Sequence, residues 1–246
     1  MTMSRNKTLG VMGGMGPAAT LDFVNKVNLL TNAKNDQQHI DMVVNMMCST
    51  PDRTAALLGN GISPLPKLCE SAESLLKQGA EVIAMPCNTA HYWHEKIVCK
   101  LEEKYSNFSF PNMVNLAVDA VRSEFADVDR VVILATEGAI YSQIYQDALS
   151  AAHVKFTVPE PDVQALVTKA IYGVKAENIE ESRKFVNHAL NGLVGTRDVL
   201  LLGCTELPLV VGRNEYPRQI DATLELAKEI VRLCKGEVER VVYANV

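Results

Sequence analysis

The chain has no C-x-x-C pair, no basic run and no apolar stretch approaching the roughly 18 residues that a membrane span requires. Each absence removes a class of reading. Six cysteines without close pairing, in a chain of 246 residues that can bury a large core unaided, read as free thiols rather than as a disulfide framework. A net charge of −5 with no local reversal gives no general attraction for nucleic acid or an anionic membrane, so neither is an expected partner. Met1 to Lys7 is polar and runs straight into a strand pattern, without the apolar segment of a secretory signal. A cytoplasmic protein is expected. The composition, 48% hydrophobic and 22% charged, is that of an ordinary globular protein of one or two domains rather than a disordered chain.

What the chain does have is an internal correspondence. Glu81-Val82-Ile83-Ala84-Met85-Pro86-Cys87-Asn88-Thr89 and Asp198-Val199-Leu200-Leu201-Leu202-Gly203-Cys204-Thr205-Glu206 each run from an acidic residue through a buried-strand pattern to a cysteine and a threonine-containing turn. Upstream of each lies a second matched pair, Lys7 to Gly16 and Asp129 to Gly138, at nearly the same spacing of about half the chain. The sequence thus reads as two diverged copies of one α/β unit, with a cleft between them.

Apolar runs bounded by Gly, Pro or Asn alternate with helical periodicity, which predicts βαβ units and a largely parallel sheet in each lobe. Strands are expected at Thr8–Met12, Met42–Met46, Val82–Met85, Val131–Leu134, Lys155–Val158 and Val199–Leu202. Helices are expected near Pro17–Asn32, Leu65–Gln78, Tyr92–Lys104, Ile140–Ala151, Val163–Tyr172, Ile179–Leu193 and Ala222–Cys234. The first lobe spans residues 1–115 and the second 116–220, with the boundary near Pro111–Leu116 and the terminal segment 221–246 returning as a helix to the first lobe. In such sheets ligands bind beyond the carboxyl ends of the strands. The turns at Gly13–Pro17, Ser49–Arg53, Cys87–Thr89, Thr136–Gly138 and Cys204–Glu206 all occupy that position.

Two equivalent thiols facing one cleft suit a demanding proton transfer. Inverting the α-carbon of a free amino acid needs a base on one face and a proton donor on the other, and identical side chains can exchange those roles. A thiol titrates near 8.5, lower at a helix N-terminus, so one sulfur can be anionic while the other keeps its proton. Asn88, Thr89 and Thr205 are placed to orient the sulfurs and to stabilise developing negative charge. Cys48, Cys69, Cys99 and Cys234 have no paired context and read as buried small hydrophobes. His91 and His94 lack the companion ligands of a zinc site and read as the start of the helix after Cys87. Gly13-Gly14-Met15-Gly16-Pro17 lacks the third glycine of a dinucleotide fingerprint and the G-K-[ST] of a P-loop, but a carboxylate would fit the turn. Met12, Gly13 and Gly14 are therefore candidate substrate contacts. On spacing alone, Arg53 and Lys175 are indistinguishable from exposed cations.

In order and spacing, Gly13–Pro17, Ser49–Thr54, Pro86–His91, Leu134–Gly138 and Gly203–Leu207 resemble the cofactor-independent aspartate/glutamate racemases over essentially the whole chain. That resemblance implies two pseudo-symmetric α/β lobes, an active site between them, and neither pyridoxal phosphate nor a metal. It makes Cys87 and Cys204 the two bases, Cys87 serving the D-enantiomer and Cys204 the L-enantiomer. It sets Arg53 and Lys175, with Lys169 as a competing lysine, against the side-chain carboxylate of an acidic amino acid, and it has Thr136 help hold the substrate. Glu206 stands where the glutamate branch carries histidine, and the first loop is not of the Asp-Ser-Gly type, so the aspartate branch is indicated and Glu206 joins the candidate contacts. The resemblance also implies a homodimer. Three alternatives remain: a glutamate or broader acidic amino-acid racemase, a cysteine-dependent enzyme similar to maleate isomerases or arylmalonate decarboxylases, and a non-catalytic acidic amino-acid binding protein.

Overall fold

The computed structural model describes residues 6–212 and 215–236. The polar lead before Asn6, and the part of the expected 221–246 helix beyond Gly236, lie outside the described residues.

Strand β1 (Leu9–Gly13) is the middle of a three-stranded parallel sheet, with β2 (Met42–Met46) on one side and β3 (Val82–Ala84) on the other. Leu9 pairs with Met42 and with Val82. The second half repeats the order, with β4 (Val131–Ala135) between β5 (Phe156–Thr157) and β6 (Val199–Gly203). A further strand, β7 (Gln219–Asp221), extends this sheet beyond β6, and all its neighbours are parallel. Each lobe is thus a parallel α/β sheet flanked by helices.

The side-chain period of two sorts the strand residues to opposite faces. Leu9 and Val11, Val131 and Ile133, and Val199 and Leu201 face a common interior; Met12, Leu134 and Leu202 face outward onto separate helical layers. Both faces are buried, which is why these strands read as continuous apolar runs. The outer layer of the first lobe is α3 (Leu65–Lys77) with α4 (His94–Glu102), and that of the second is α8 (Pro161–Lys175) with α9 (Ile179–Leu190). The interior layer is α1 (Pro17–Thr31), α5 (Met113–Glu124), α7 (Ile144–Ala151) and α10 (Ala222–Lys235), all contributing to one apolar cluster that touches both sheets. Two short helices, α2 (Arg53–Leu57) and α6 (Glu137–Tyr141), stand at the carboxyl ends of β2 and β4.

Helix α10 packs on both α1 and α5. The Asp221 side chain caps its N-terminus, accepting from the Thr223 and Leu224 amides at 2.8 and 3.2 Å. The same carboxylate meets Lys26 of α1 at 2.8 Å, and Lys26 also holds Asp22 at 2.5 Å. This buried ammonium ties the terminal helix to the first.

Several elements differ from expectation. A full helix, α5, occupies the stretch read as a lobe boundary, because Val114, Ala117, Val118 and Val121 form an apolar face and the Asn112 side chain caps its start. The single helix expected over Ile140–Ala151 is two, α6 and α7, broken at Gln143, which adopts a left-handed conformation (φ 58°). A 3₁₀ turn, Thr89–Trp93, precedes α4. All six cysteines are free, but Cys48 and Cys99 are exposed instead of buried, while Cys69 and Cys234 are buried. Among the described residues no helix is long and apolar enough to cross a membrane.

Replacing Lys26 with methionine keeps its bulk but leaves the Asp22 and Asp221 carboxylates facing one another without a counter-charge. Removing one partner of a buried ion pair costs about 3–5 kcal/mol. Urea unfolding of Lys26→Met at pH 7 should show a loss of that size, and an unchanged midpoint would refute the structural role of this cation.

Candidate functional site

The carboxyl ends of β2, β3, β4 and β6 and the last turn of α8 converge on one small, tightly lined cavity. The turn after β3 contributes Cys87, Asn88 and Thr89, and the turn after β6 contributes Cys204, Thr205 and Glu206. The turn after β4 supplies Thr136, the segment after β2 supplies Asp52, Arg53 and Thr54, the first loop supplies Met15, and α8 supplies Lys175. Both cysteines are 5% exposed, so the sulfurs sit inside the cleft rather than on the rim.

The two sulfurs have different neighbours. Cys204 donates its thiol proton to Glu206 Oε2 at 3.0 Å, and the Thr205 hydroxyl donates to the same oxygen at 3.2 Å. Burial and the Glu206 carboxylate push the Cys204 thiol well above its ordinary range, with Lys175 pulling the other way. Cys204 is therefore protonated at neutral pH. Cys87 has the Arg53 guanidinium as its charged neighbour. Burial opposes the arginine's charge, but Cys87 and Asp52 outweigh it and hold Arg53 firmly cationic. Lys175 also lines the cavity, 3.9 Å from Glu206 Oε1. Burial again opposes its charge, and Glu206 together with the two sulfurs overcomes that effect and raises its pKa.

Local folding explains these placements. Asp52 caps α2 by accepting from the Ala55 amide at 2.7 Å, which turns Arg53 inward, and the guanidinium is then clamped by the carbonyls of Thr50, Pro51 and Met15 at 3.2, 3.0 and 3.2 Å. Thr136 caps α6 through the Ala139 amide and meets the Thr89 hydroxyl of the other lobe at 2.8 Å. Helix α2 lies directly on α6 above the cavity, so close that a Cβ on Gly138 would fall 2.7 Å from the Thr54 Cα.

Three buried polar atoms on lining residues have no hydrogen-bond partner: Arg53 Nε, Asn88 Nδ2 and Glu206 Oε1. An unsatisfied buried polar group costs about 1–3 kcal/mol, so each marks a place where a bound molecule would complete the network. Two are donors and one is an acceptor. Together with Lys175 they suit a ligand carrying carboxylates and an ammonium group.

Of the residues expected from sequence, Cys87, Cys204, Arg53, Asn88, Thr89, Thr136, Lys175, Thr205 and Glu206 line this cavity, and Met12, Gly13 and Gly14 do not. Met12 is fully buried in the outer core. The Gly14 amide donates to Thr20 Oγ1 at 3.0 Å and is not open to a carboxylate. Gly14 has φ 88° and no room for a Cβ beside Met47 and Cys48, so backbone packing requires this glycine. Lys169 is exposed and lies over the Phe185 ring, which leaves Lys175 as the lysine of the site. His91 Nδ1 bonds the Cys87 carbonyl at 3.0 Å and His94 Nε2 the Phe110 carbonyl at 3.0 Å. No three His, Cys, Asp or Glu side chains cluster as a metal would require, among the described residues. Sequence reasoning missed Met15, Asp52 and Thr54. The Asp-x-x spacing ahead of Ala55 is a capping signal that would have found Asp52.

The Asp/Glu/hydantoin racemase family model matches residues 12–234. The chain belongs to that family. As a member of this racemase family it is similar to the broad specificity amino-acid racemase RacX of Bacillus subtilis, at 28% identity over 230 residues, 91% of this chain and 96% of that protein. It is similar to the glutamate racemase of Corynebacterium glutamicum at 27% identity over 188 residues, 70% of this chain and 64% of that one. Among solved structures, the Picrophilus torridus aspartate racemase superposes with a TM-score of 0.78 at 30% identity, covering 93% of this chain and 99% of the other.

Burial, and to a lesser degree the stacked His94, lowers the His91 pKa from its ordinary value to about 3. The unfolded chain takes up this proton below about 6.5 and the folded protein does not, so stability falls as pH drops from 6.5 toward 3. His91→Gln should remove up to about 1.4 kcal/mol per pH unit of that decline. Urea unfolding at pH 7 and pH 4.5 measures the difference, and identical slopes for variant and parent would disprove it.

Proposed function

We propose that this racemase interconverts L- and D-aspartate by a two-base transfer of the α-proton between Cys87 and Cys204. The observation that carries the reading is that equivalent strand ends of the two lobes each bring a cysteine to one cavity that is also lined by two cations. Cys87, beside Arg53, acts as the base that takes the α-proton from one face of the substrate. The Cys204 thiol returns a proton to the other face. Turnover leaves the pair in the reversed state, which is the state required for the opposite direction. The pair resets when the Cys87 thiol gives its proton to solvent and the Cys204 sulfur takes one from solvent by way of Glu206 Oε2, 3.0 Å away.

Arg53 and Lys175 supply positive charge for the two carboxylates of an acidic amino acid, and Glu206 Oε1 supplies an acceptor for its ammonium group. The small cavity favours the shorter side chain of aspartate. One methylene discriminates by only about 1–3 kcal/mol, so glutamate should turn over at a reduced rate. Similarity to glutamate racemases and to a broad specificity racemase supports a wider acidic amino-acid range as the second reading.

Either enantiomer of aspartate, incubated in heavy water without added cofactor, should become racemic and deuterated at the α-carbon. Cys87→Ala and Cys204→Ala should each reduce racemisation at least about 1000-fold, within the range set by loss of a general acid or base. Full racemisation by either variant would rule out the two-base scheme. Lys175→Met should raise the aspartate KM about 10-fold or more, the loss of one charge-assisted hydrogen bond.

A further inference from the structure

Tyr145 belongs to neither cysteine turn and yet touches both. It is the second residue of α7, is fully buried, and is not among the residues that line the cavity. Its ring packs against the backbone just before Cys204: a Cβ on Gly203 would fall 2.8 Å from Tyr145 Cε2. Its hydroxyl donates to Asn88 Oδ1, in the turn that follows Cys87 in the other lobe. The break at Gln143 that separates α6 from α7 sets this reach, and it is pinned by the Gln146 side chain donating to the Ile140 carbonyl at 2.8 Å.

The chemistry of that contact fixes the direction of the amide. A buried phenol carries one hydrogen that needs an acceptor, and burial pushes the Tyr145 hydroxyl well above its ordinary range, so it stays protonated and donates. Only the oxygen of the Asn88 amide can accept. Nδ2 must then point away from Tyr145, and it is buried, without a protein partner, on a residue that lines the cavity. Without the phenol, nothing among the described contacts would stop the amide from turning its oxygen into the cleft, where it would repel a carboxylate.

We propose that Tyr145 is a positioning residue that holds the Asn88 amide with Nδ2 facing the cavity, where it donates to the α-carboxylate of the acidic amino acid. As the α-proton leaves, negative charge spreads onto that carboxylate, so the donor matters more in the transition state than in the bound substrate. The inference rests on the two-base reading for its reaction and on the hydrogen-bond geometry for its residue.

The test is a double-mutant cycle with Tyr145→Phe, which keeps the ring against Gly203, and Asn88→Ala. Because Tyr145 acts through Asn88, Tyr145→Phe should lower kcat for aspartate about 10-fold in both directions with KM changed less than about threefold, whereas a lost direct donor costs about 100-fold. The double variant should be no slower than Asn88→Ala alone. Multiplying losses, or parental kcat in Tyr145→Phe, would overturn the proposal. If Asn88→Ala does not fold, Asn88→Ser replaces it in the same cycle. If the parent exchanges no α-deuterium, the racemase reading fails separately, and the cycle is read by calorimetry with L-aspartate. Non-additive loss of affinity then supports Tyr145, and additive or absent loss overturns it.

Discussion

The arrangement depends on one shared apolar core. Leu9 and Val11 of the first sheet and Ile133 and Leu201 of the second bury against the same helices, α1, α5, α7 and α10, so neither sheet can shift without opening that interior. Protein interiors are close-packed, and a shared core transmits position as well as stability. The parallel strands pack one face on this interior, and the turns after their carboxyl ends meet at one cavity. Proximity of the two sulfurs is thus a property of the core before it is a property of the loops.

The site gains its asymmetry from what each turn adds to this common frame. The two halves match in strand order and in the placement of a cysteine, but Glu206 has no counterpart after Cys87, where Asn88 and Thr89 follow instead. One thiol therefore faces a carboxylate and the other a guanidinium. A pseudo-symmetric scaffold carrying unequal charges thus gives two chemically similar groups different electrostatic surroundings. The lobe-to-lobe hydrogen bond of Thr89 with Thr136 closes the frame at 2.8 Å.

Much of this was legible in the sequence, and the parts that were not share a cause. The strands were readable because β1, β4 and β6 are buried on both faces and leave unbroken apolar runs. The cysteine turns were readable because they occur twice. Helix α5 was hidden because Pro111 and Asn112 look like a linker, although Asn112 is its cap. The α6–α7 break was hidden because a glutamine, rather than a glycine, takes the left-handed conformation there. The glycines at 13 and 14 were misread because their need for space comes from Thr20, Met47 and Cys48, which sequence spacing does not bring near. Tyr145 was invisible for the same reason: its partner is 57 residues away in the chain. Periodic local signals survive in a sequence, and contacts made only by folding do not.

The seating of Thr54 upon Gly138 fixes what can stand at position 138. Any side chain there would drive into the backbone of the facing helix, so a lone hydrogen is what lets these two short helices, one from each half of the chain, lie in direct contact.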